Sequence, residues 1–138
     1  MPAKDIYHDT VKNALVKDGW TITNDPFIIQ FKGIRLYADL EAEKPLAAEK
    51  EGHRIVVEVK VFNTPSRITE LQKAIGQYGI YRTFLKQSNP NRQIYLAIPQ
   101  DVYQDFFKQP AIETIIDDHQ ISLLVFEPQE EEVVLWIR

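Results

Sequence analysis

The chain contains no cysteine, which excludes disulfides, thiol nucleophiles and thiolate metal sites and leaves oxygen or histidine to hold any metal. It also lacks a run approaching the ~18 apolar residues of a membrane span. Its opening, MPAKDIYHDTVKNAL, has no basic segment followed by a long apolar core. A cytoplasmic protein with no membrane association is expected. Ser66, Ser88 and Ser122 lack a Gly-x-Ser-x-Gly setting, and no glycine-rich phosphate loop occurs, so serine-hydrolase and nucleotide-switch readings fall away. His53 and His119 have no partner at metal-binding spacing. Repeats and low-complexity linkers are absent as well. A single domain over residues 1–138 is expected, a length that buries roughly 70% of the unfolded surface.

What is present is an ordinary globular composition, 44% hydrophobic and 26% charged. The net charge of -4 hides an asymmetry. Between Lys60 and Arg92 the basic residues Lys60, Arg67, Lys73, Arg82, Lys86 and Arg92 face one acid, Glu70. Arg67, Lys73, Arg82, Lys86 and Arg92 are therefore candidates for contact with a phosphate backbone, some of them being ordinary solvated helix charges. After Pro99 acids dominate, and no phosphate contact is expected there.

Periodicity orders the elements. Ile6, Tyr7, Val11, Ala14 and Leu15 recur at helical spacing within residues 4–18, with Gly19 placed to end the helix and Trp20 to anchor a core. WTITNDPFIIQFKG reads as an extended stretch broken by Asn24, Asp25 and Pro26, and forms a hairpin with IRLYADLEA. A strand follows at residues 54–62, a helix from about Pro65 to Gln87, a short strand in RQIYLAIP, helical segments in 100–119 and two closing strands. Helices between β segments predict an α/β fold, a mixed central sheet with helices packed on its faces.

Within RIVVEVKVF, strand alternation puts Val56, Glu58, Lys60 and Phe62 on one face and Ile55, Val57, Val59 and Val61 on the other. A Glu-x-Lys triplet alone has little specificity, because a half-exposed strand yields it too. The preceding strand adds to it. If residues 34–42 pair antiparallel with 54–62, Asp39 lies near Glu58, and two adjacent carboxylates call for a cation between them. Asp39 and Glu58 are thus candidate ligands of Mg2+ or Mn2+, with Lys60 placed to stabilise charge on a phosphodiester undergoing hydrolysis.

A helix, an aspartate, Glu-Val-Lys on the next strand and a following helix resemble the PD-(D/E)XK nuclease superfamily. Gln77 and Tyr81, four apart in AIGQYGIYRTFL, resemble the Gln-x-x-x-Tyr motif of some of its branches; the alternative is a core tyrosine with a polar neighbour. More narrowly, DLEAE, AAEKEGHRIVVEVKVF, AIGQYGIYRTFL, YLAIP and LLVFEPQEEEVVLWI are similar to the XisH family of element-excision controlling factors. Two positions depart from that family's pattern: Val61 stands where it has serine, and Glu41 where it has glycine. The resemblance implies a restriction-endonuclease-like fold and a role in excising a DNA element in heterocyst-forming cyanobacteria. It further implies a site-specific recombinase and a XisI-type protein as partners; it does not itself imply cleavage, for which Asp39, Glu58 and Lys60 are the candidate catalytic residues. Related nucleases place an accessory ligand on the first helix, which makes His8 an accessory candidate, a surface role being its alternative together with Asp9. Glu49, like Glu43, lies in the loop between the site strands and is a further accessory candidate, a solvated loop acid being the default.

Two function classes remain open: a metal-dependent nuclease, or a non-catalytic regulatory module that keeps the fold and acts through DNA or protein contacts. Homo-oligomerisation is open too. EVVLWI, preceded by Glu130 to Glu132, is either a sheet-edge interface strand or a buried terminal strand guarded by charge.

Overall fold

The computed structural model describes residues 6–45 and 52–138. Glu49 lies outside them. A first helix, α1 (His8–Lys17), buries Val11, Ala14 and Leu15 but leaves Ile6 exposed ahead of its start. Gly19 ends it at φ +94, a left-handed conformation that a side chain would strain, and Trp20 N–H returns to the Leu15 carbonyl at 2.9 Å. Trp20 is buried as expected.

Five strands follow where the sequence pattern suggests three. The turn at Asn24–Pro26 splits the first extended stretch into β1 (Thr21–Asn24) and β2 (Phe27–Phe31). The expected hairpin forms between β2 and β3 (Ile34–Ala38), with Lys32 and Gly33 at its turn. The predicted strand 34–42 breaks at Asp39, and β4 (Leu40–Lys44) joins a different sheet. β5 (His53–Val59) stops before Lys60. Gly52 allows the β4–β5 connection to close, because a Cβ there would meet the Lys44 carbonyl oxygen at 2.7 Å. Beyond it come α2 (Arg67–Ser88), β6 (Arg92–Pro99), α3 (Gln100–Val102) running into a π-helical turn at Tyr103–Phe107, α4 (Pro110–Asp118), β7 (Leu123–Glu127) and β8 (Glu132–Ile137). Ser66 caps α2, its hydroxyl accepting the Thr69 N–H at 3.4 Å.

The large sheet has the order β1-β4-β5-β6-β7-β8, parallel from β5 to β7 and antiparallel on both flanks, and is therefore mixed. Strand alternation divides its side chains between two cores. Val56, Ile94, Leu96, Ile98, Leu123 and Val125 pack with α2, α4 and the β2–β3 hairpin. Ile55, Val57, Val59, Tyr95, Ala97, Leu124 and Phe126 pack with α1 and Trp20. Among the described residues no helix is long and apolar enough to cross a membrane.

β8 is an edge strand, not a buried one. Trp136 nevertheless turns inward, 5.6 Å from the Trp20 ring and 5.0 Å from Tyr95 in an edge-to-face contact, so the exposed apolar residues of that edge are Val134 and Leu135.

Candidate metal centre

The break at Asp39 builds the site. The β4–β5 ladder begins at Leu40↔Val57, so Asp39 has no strand partner on that side. Side chains replace the missing ladder bonds. The Asp39 N–H donates to Glu58 Oε1 at 3.1 Å, and the Val59 N–H donates to Asp39 Oδ2 at 2.7 Å. Each carboxylate is thereby oriented by a backbone N–H through one oxygen. Its other oxygen, Asp39 Oδ1 or Glu58 Oε2, takes no backbone N–H.

Lys60 stands beside them with its Nζ 3.8 Å from Glu58 Oε2. Its backbone N–H continues the sheet to the Ala97 carbonyl at 2.9 Å. Two residues on, Phe62 holds φ 55, a left-handed conformation unusual for a bulky residue, while its ring packs edge-on against Phe107 at 5.2 Å. That packing anchors the chain as it leaves the site.

Glu58 is 7% exposed. Burial, followed by the charge of Asp39, pushes its carboxyl up to about 8, with Lys60 pulling in the opposite direction. Between the unfolded value near 4.5 and the folded value near 8, the folded chain therefore holds the extra proton. Stability of the metal-free protein should fall as pH rises through that window, by up to ~1.4 kcal/mol per pH unit for one proton. Urea unfolding in chelator at pH 6 and pH 8.5 measures this fall, and Glu58→Gln should flatten it; equal slopes in both proteins would contradict the assignment.

α2 supplies one wall. Gln77 Nε2 donates to the Tyr81 hydroxyl at 2.9 Å, and that hydroxyl donates to the Tyr37 carbonyl at 2.8 Å, tying α2 to the hairpin strand that leads into Asp39. Burial, then the charge of Glu58, raises the Tyr81 phenol, against the hydrogen bond from Gln77. The pair thus borders the carboxylates, and Tyr81 also belongs to the core.

His8 is buried rather than a surface helix residue, whereas Asp9 is exposed. Its Nε2 lies 2.7 Å from Asp25 Oδ1 and its Nδ1 3.6 Å from Asp39 Oδ1. Lys12 Nζ donates to Asp25 Oδ2 at 2.8 Å. Burial raises the Asp25 carboxyl, but the bonds from Lys12 and His8 outweigh it and hold the group below the usual carboxylate range. Asp25 and Lys12 were not legible as site residues, since Asp25 reads locally as a turn former.

The basic stretch divides between two places: Arg82, Lys86 and Arg92 line one pocket with Tyr78 and Gln120, while Arg67 stands at the far end of α2. Arg92 Nε donates to buried Glu41 at 2.8 Å, and Arg82 donates to the carbonyls of His119 and Gln120 at 3.0 and 2.9 Å. Arg92 thus serves as the counterion of Glu41 while remaining half-buried at a pocket wall. The same ion pair neutralises Glu41. Lys73 lies 3.9 Å from Glu70, and Lys73 and Lys86 are exposed, with Arg67 half-buried. Arg67 and Lys86 are separated by about 28 Å of helix, with Arg67 at the end reached directly from Lys60 and Lys86 at the end that leads to β6.

Among the described residues, no three His, Asp or Glu side chains stand together as a closed set of metal ligands. Asp39 and Glu58 still fit a hard divalent ion. They pair two carboxylates, each with one oxygen unused by the backbone, in a place where burial disfavours uncompensated charge.

A model of the family described as XisH protein matches residues 1–134. The crystal structure at 1.60 Å of an XisH family protein from Nostoc punctiforme PCC 73102 is similar at 38% identity and a TM-score of 0.88, covering 97% of this chain and 100% of that one. So is that of a fdxN element excision controlling factor protein from Anabaena variabilis, at 38% identity and a TM-score of 0.87, covering 98% of this chain and 100% of that one. No curated protein sequence matches the chain significantly.

Proposed function

The chain belongs to the XisH family, and from that premise we propose that it is an element-excision controlling factor with a metal-dependent phosphodiesterase site acting on DNA. The observation that carries the chemistry is the reciprocal pairing of Asp39 and Glu58 through each other's strand backbone, with Lys60 beside them. Strand, carboxylates, lysine and flanking helix support a restriction-endonuclease-like, PD-(D/E)XK reading of the mixed sheet.

In this reading Asp39 and Glu58 hold Mg2+ or Mn2+, which when bound supplies Lewis acidity toward a phosphodiester oxygen. The chain's own residues do the rest. Lys60 offers a partly shielded ammonium to the charge that develops at phosphorus, and Gln77 with Tyr81 keeps the hairpin that carries Asp39 against α2. Arg67 and Lys73, on the half of α2 that follows Lys60, are the better-placed phosphate contacts; Lys86 lies remote, at the pocket it lines with Arg82 and Arg92, and Arg92 is paired with Glu41.

A regulatory role is favoured by a separate observation. The edge of β8 presents Val134 and Leu135 beside unpaired backbone, a surface suited to strand addition by a XisI-type protein or to pairing with a second copy. A site-specific recombinase is the enzyme such a factor directs. One preparation tests both roles: the purified chain, alone and coexpressed with a XisI-type protein, incubated with single- and double-stranded DNA in Mg2+, Mn2+ or chelator. Metal-dependent strand cleavage is the expected result. A stable complex without cleavage in any metal would remove the enzymatic reading and leave the regulatory one.

A further inference from the structure

We propose that the cavity at the opening end of β6 is a second binding site, separate from the metal centre, which takes a compact phosphate monoester of mononucleotide size. The inference stands without the metal reading.

The cavity holds about 420 Å³, within the range of about 300–1,000 Å³ usual for small-molecule sites. Arg82 and Lys86 reach it from α2, Arg92 from β6 and Ser122 from just ahead of β7, and among the described residues no acid lines it. Glu58 pairs with Leu96, four residues further along β6 than Arg92, so about 13 Å of strand separates the cavity from the metal centre. The two sites lie toward opposite ends of the sheet.

The cations are fixed before any ligand arrives. Arg82 donates through one terminal nitrogen to the carbonyls of His119 and Gln120 at 3.0 and 2.9 Å, and its guanidinium lies 5.1 Å from the centre of the Tyr78 ring. Tyr78 is held in turn, its hydroxyl donating to the Ile94 carbonyl at 3.1 Å and accepting the Ser122 N–H at 2.9 Å. Gln120 presents its carbonyl from φ 52, a left-handed conformation of the sort retained at ligand clamps. Arg92 is held through Nε by Glu41, which leaves both terminal nitrogens as donors. Little side-chain freedom remains to be lost on binding at either arginine.

Charge selects the ligand class. Glu41 offsets Arg92, whereas Arg82 and Lys86 have no carboxylate within ion-pair distance among the described residues. An excess of about two positive charges matches a phosphate monoester, which carries about −1.5 to −2 at neutral pH and offers three acceptor oxygens to the arginine forks. A backbone phosphodiester brings one charge and must leave the cavity through both ester oxygens. A second cavity of about 380 Å³ shares Gln120 and Ser122 with the first, which gives the organic part of a monoester room to extend.

The test is calorimetry on the full chain in chelator, with inorganic phosphate, adenosine 5′-monophosphate and uncharged adenosine as probes. Both phosphates should bind and adenosine should not. Lys86→Glu should weaken binding by at least about tenfold, the loss of one charge-assisted contact, and because Lys86 is exposed the variant keeps its fold. Lys108→Glu makes the same charge change at an exposed position outside the cavity and should bind as wild type. A short oligothymidylate with a 5′-phosphate, compared with its 5′-hydroxyl form, identifies the source of the monoester. Lys86-dependent binding of the mononucleotide supports a free ligand, and such binding of the phosphorylated strand alone supports a strand end. Equal binding of both strands, dependent on Lys86 and without the mononucleotide, means a backbone contact and overturns the inference. No binding of any probe, or binding indifferent to Lys86→Glu, overturns it too. Every measurement excludes metal, so such a failure leaves the metal reading intact.

Discussion

Replacing Lys60 by alanine is expected to lower metal-dependent DNA cleavage by about 10²–10³-fold, the usual cost of losing one preorganised electrostatic group at a developing charge. Mn2+ binding should survive, because the ligand oxygens belong to Asp39 and Glu58 and each is oriented by backbone rather than by the lysine. The lysine Nζ stands 3.8 Å from Glu58 Oε2, close enough to share the site's field yet outside a tight ion pair. Lys60→Met separates charge from bulk, since it keeps most of the aliphatic stem. Lys60→Arg should also lose activity, as a planar fork does not reproduce a compact ammonium. Cleavage rates and calorimetric Mn2+ titrations on the same preparations provide the check. Cleavage equal to wild type in all three variants would show that Lys60 has no catalytic role.

How far the sequence reaches toward this site follows from how local each signal is. Period-2 alternation across residues 54–59 is a property of neighbouring residues, and it correctly separates Val56 and Glu58 from Ile55, Val57 and Val59. The approach of Asp39 to Glu58 is also legible, because the two strands around one loop pair antiparallel. The break between β3 and β4 is not. LYADL contains no glycine or proline, and the chain changes sheets there because Glu58, 19 positions on, captures the Asp39 N–H. His8 presents the same difficulty: a histidine at a helix start reads as solvent-facing, and its partner Asp25 lies 17 positions away behind a turn. Burial of a polar residue is set by what folds over it.

Arg92 shows that limit most fully, and replacing it by alanine should cost about 3–5 kcal/mol of stability, the range for stripping the partner from a buried charge. A count of neighbouring charges marks it as phosphate-facing, because Glu41 lies 51 positions upstream. Glu41 is 3% exposed. Its Oε1 accepts from Thr23 Oγ1 and Asn24 Nδ2, both at 2.7 Å, and its Oε2 from Arg92 Nε at 2.8 Å. Burial pushes the carboxyl up, but the bonds from Arg92, Thr23 and Asn24 together hold it below its ordinary value. A depressed carboxylate contributes stability above its unfolded value near 4.5 and loses it as pH falls through the folded value. Without Arg92 the remaining bonds must work against burial alone, and the carboxyl protonates at higher pH. The gap in unfolding free energy between wild type and Arg92→Ala should therefore be widest near neutrality and narrow in acid. Glu41→Leu combined with Arg92→Met should recover most of the loss, since a well-packed apolar pair removes both desolvation costs. Urea unfolding of the three proteins at pH 7 and pH 4 measures both effects. A gap independent of pH, or a double variant as weak as Arg92→Ala, would mean that Arg92 contributes through its packing over the Phe27 ring rather than through the charge of Glu41.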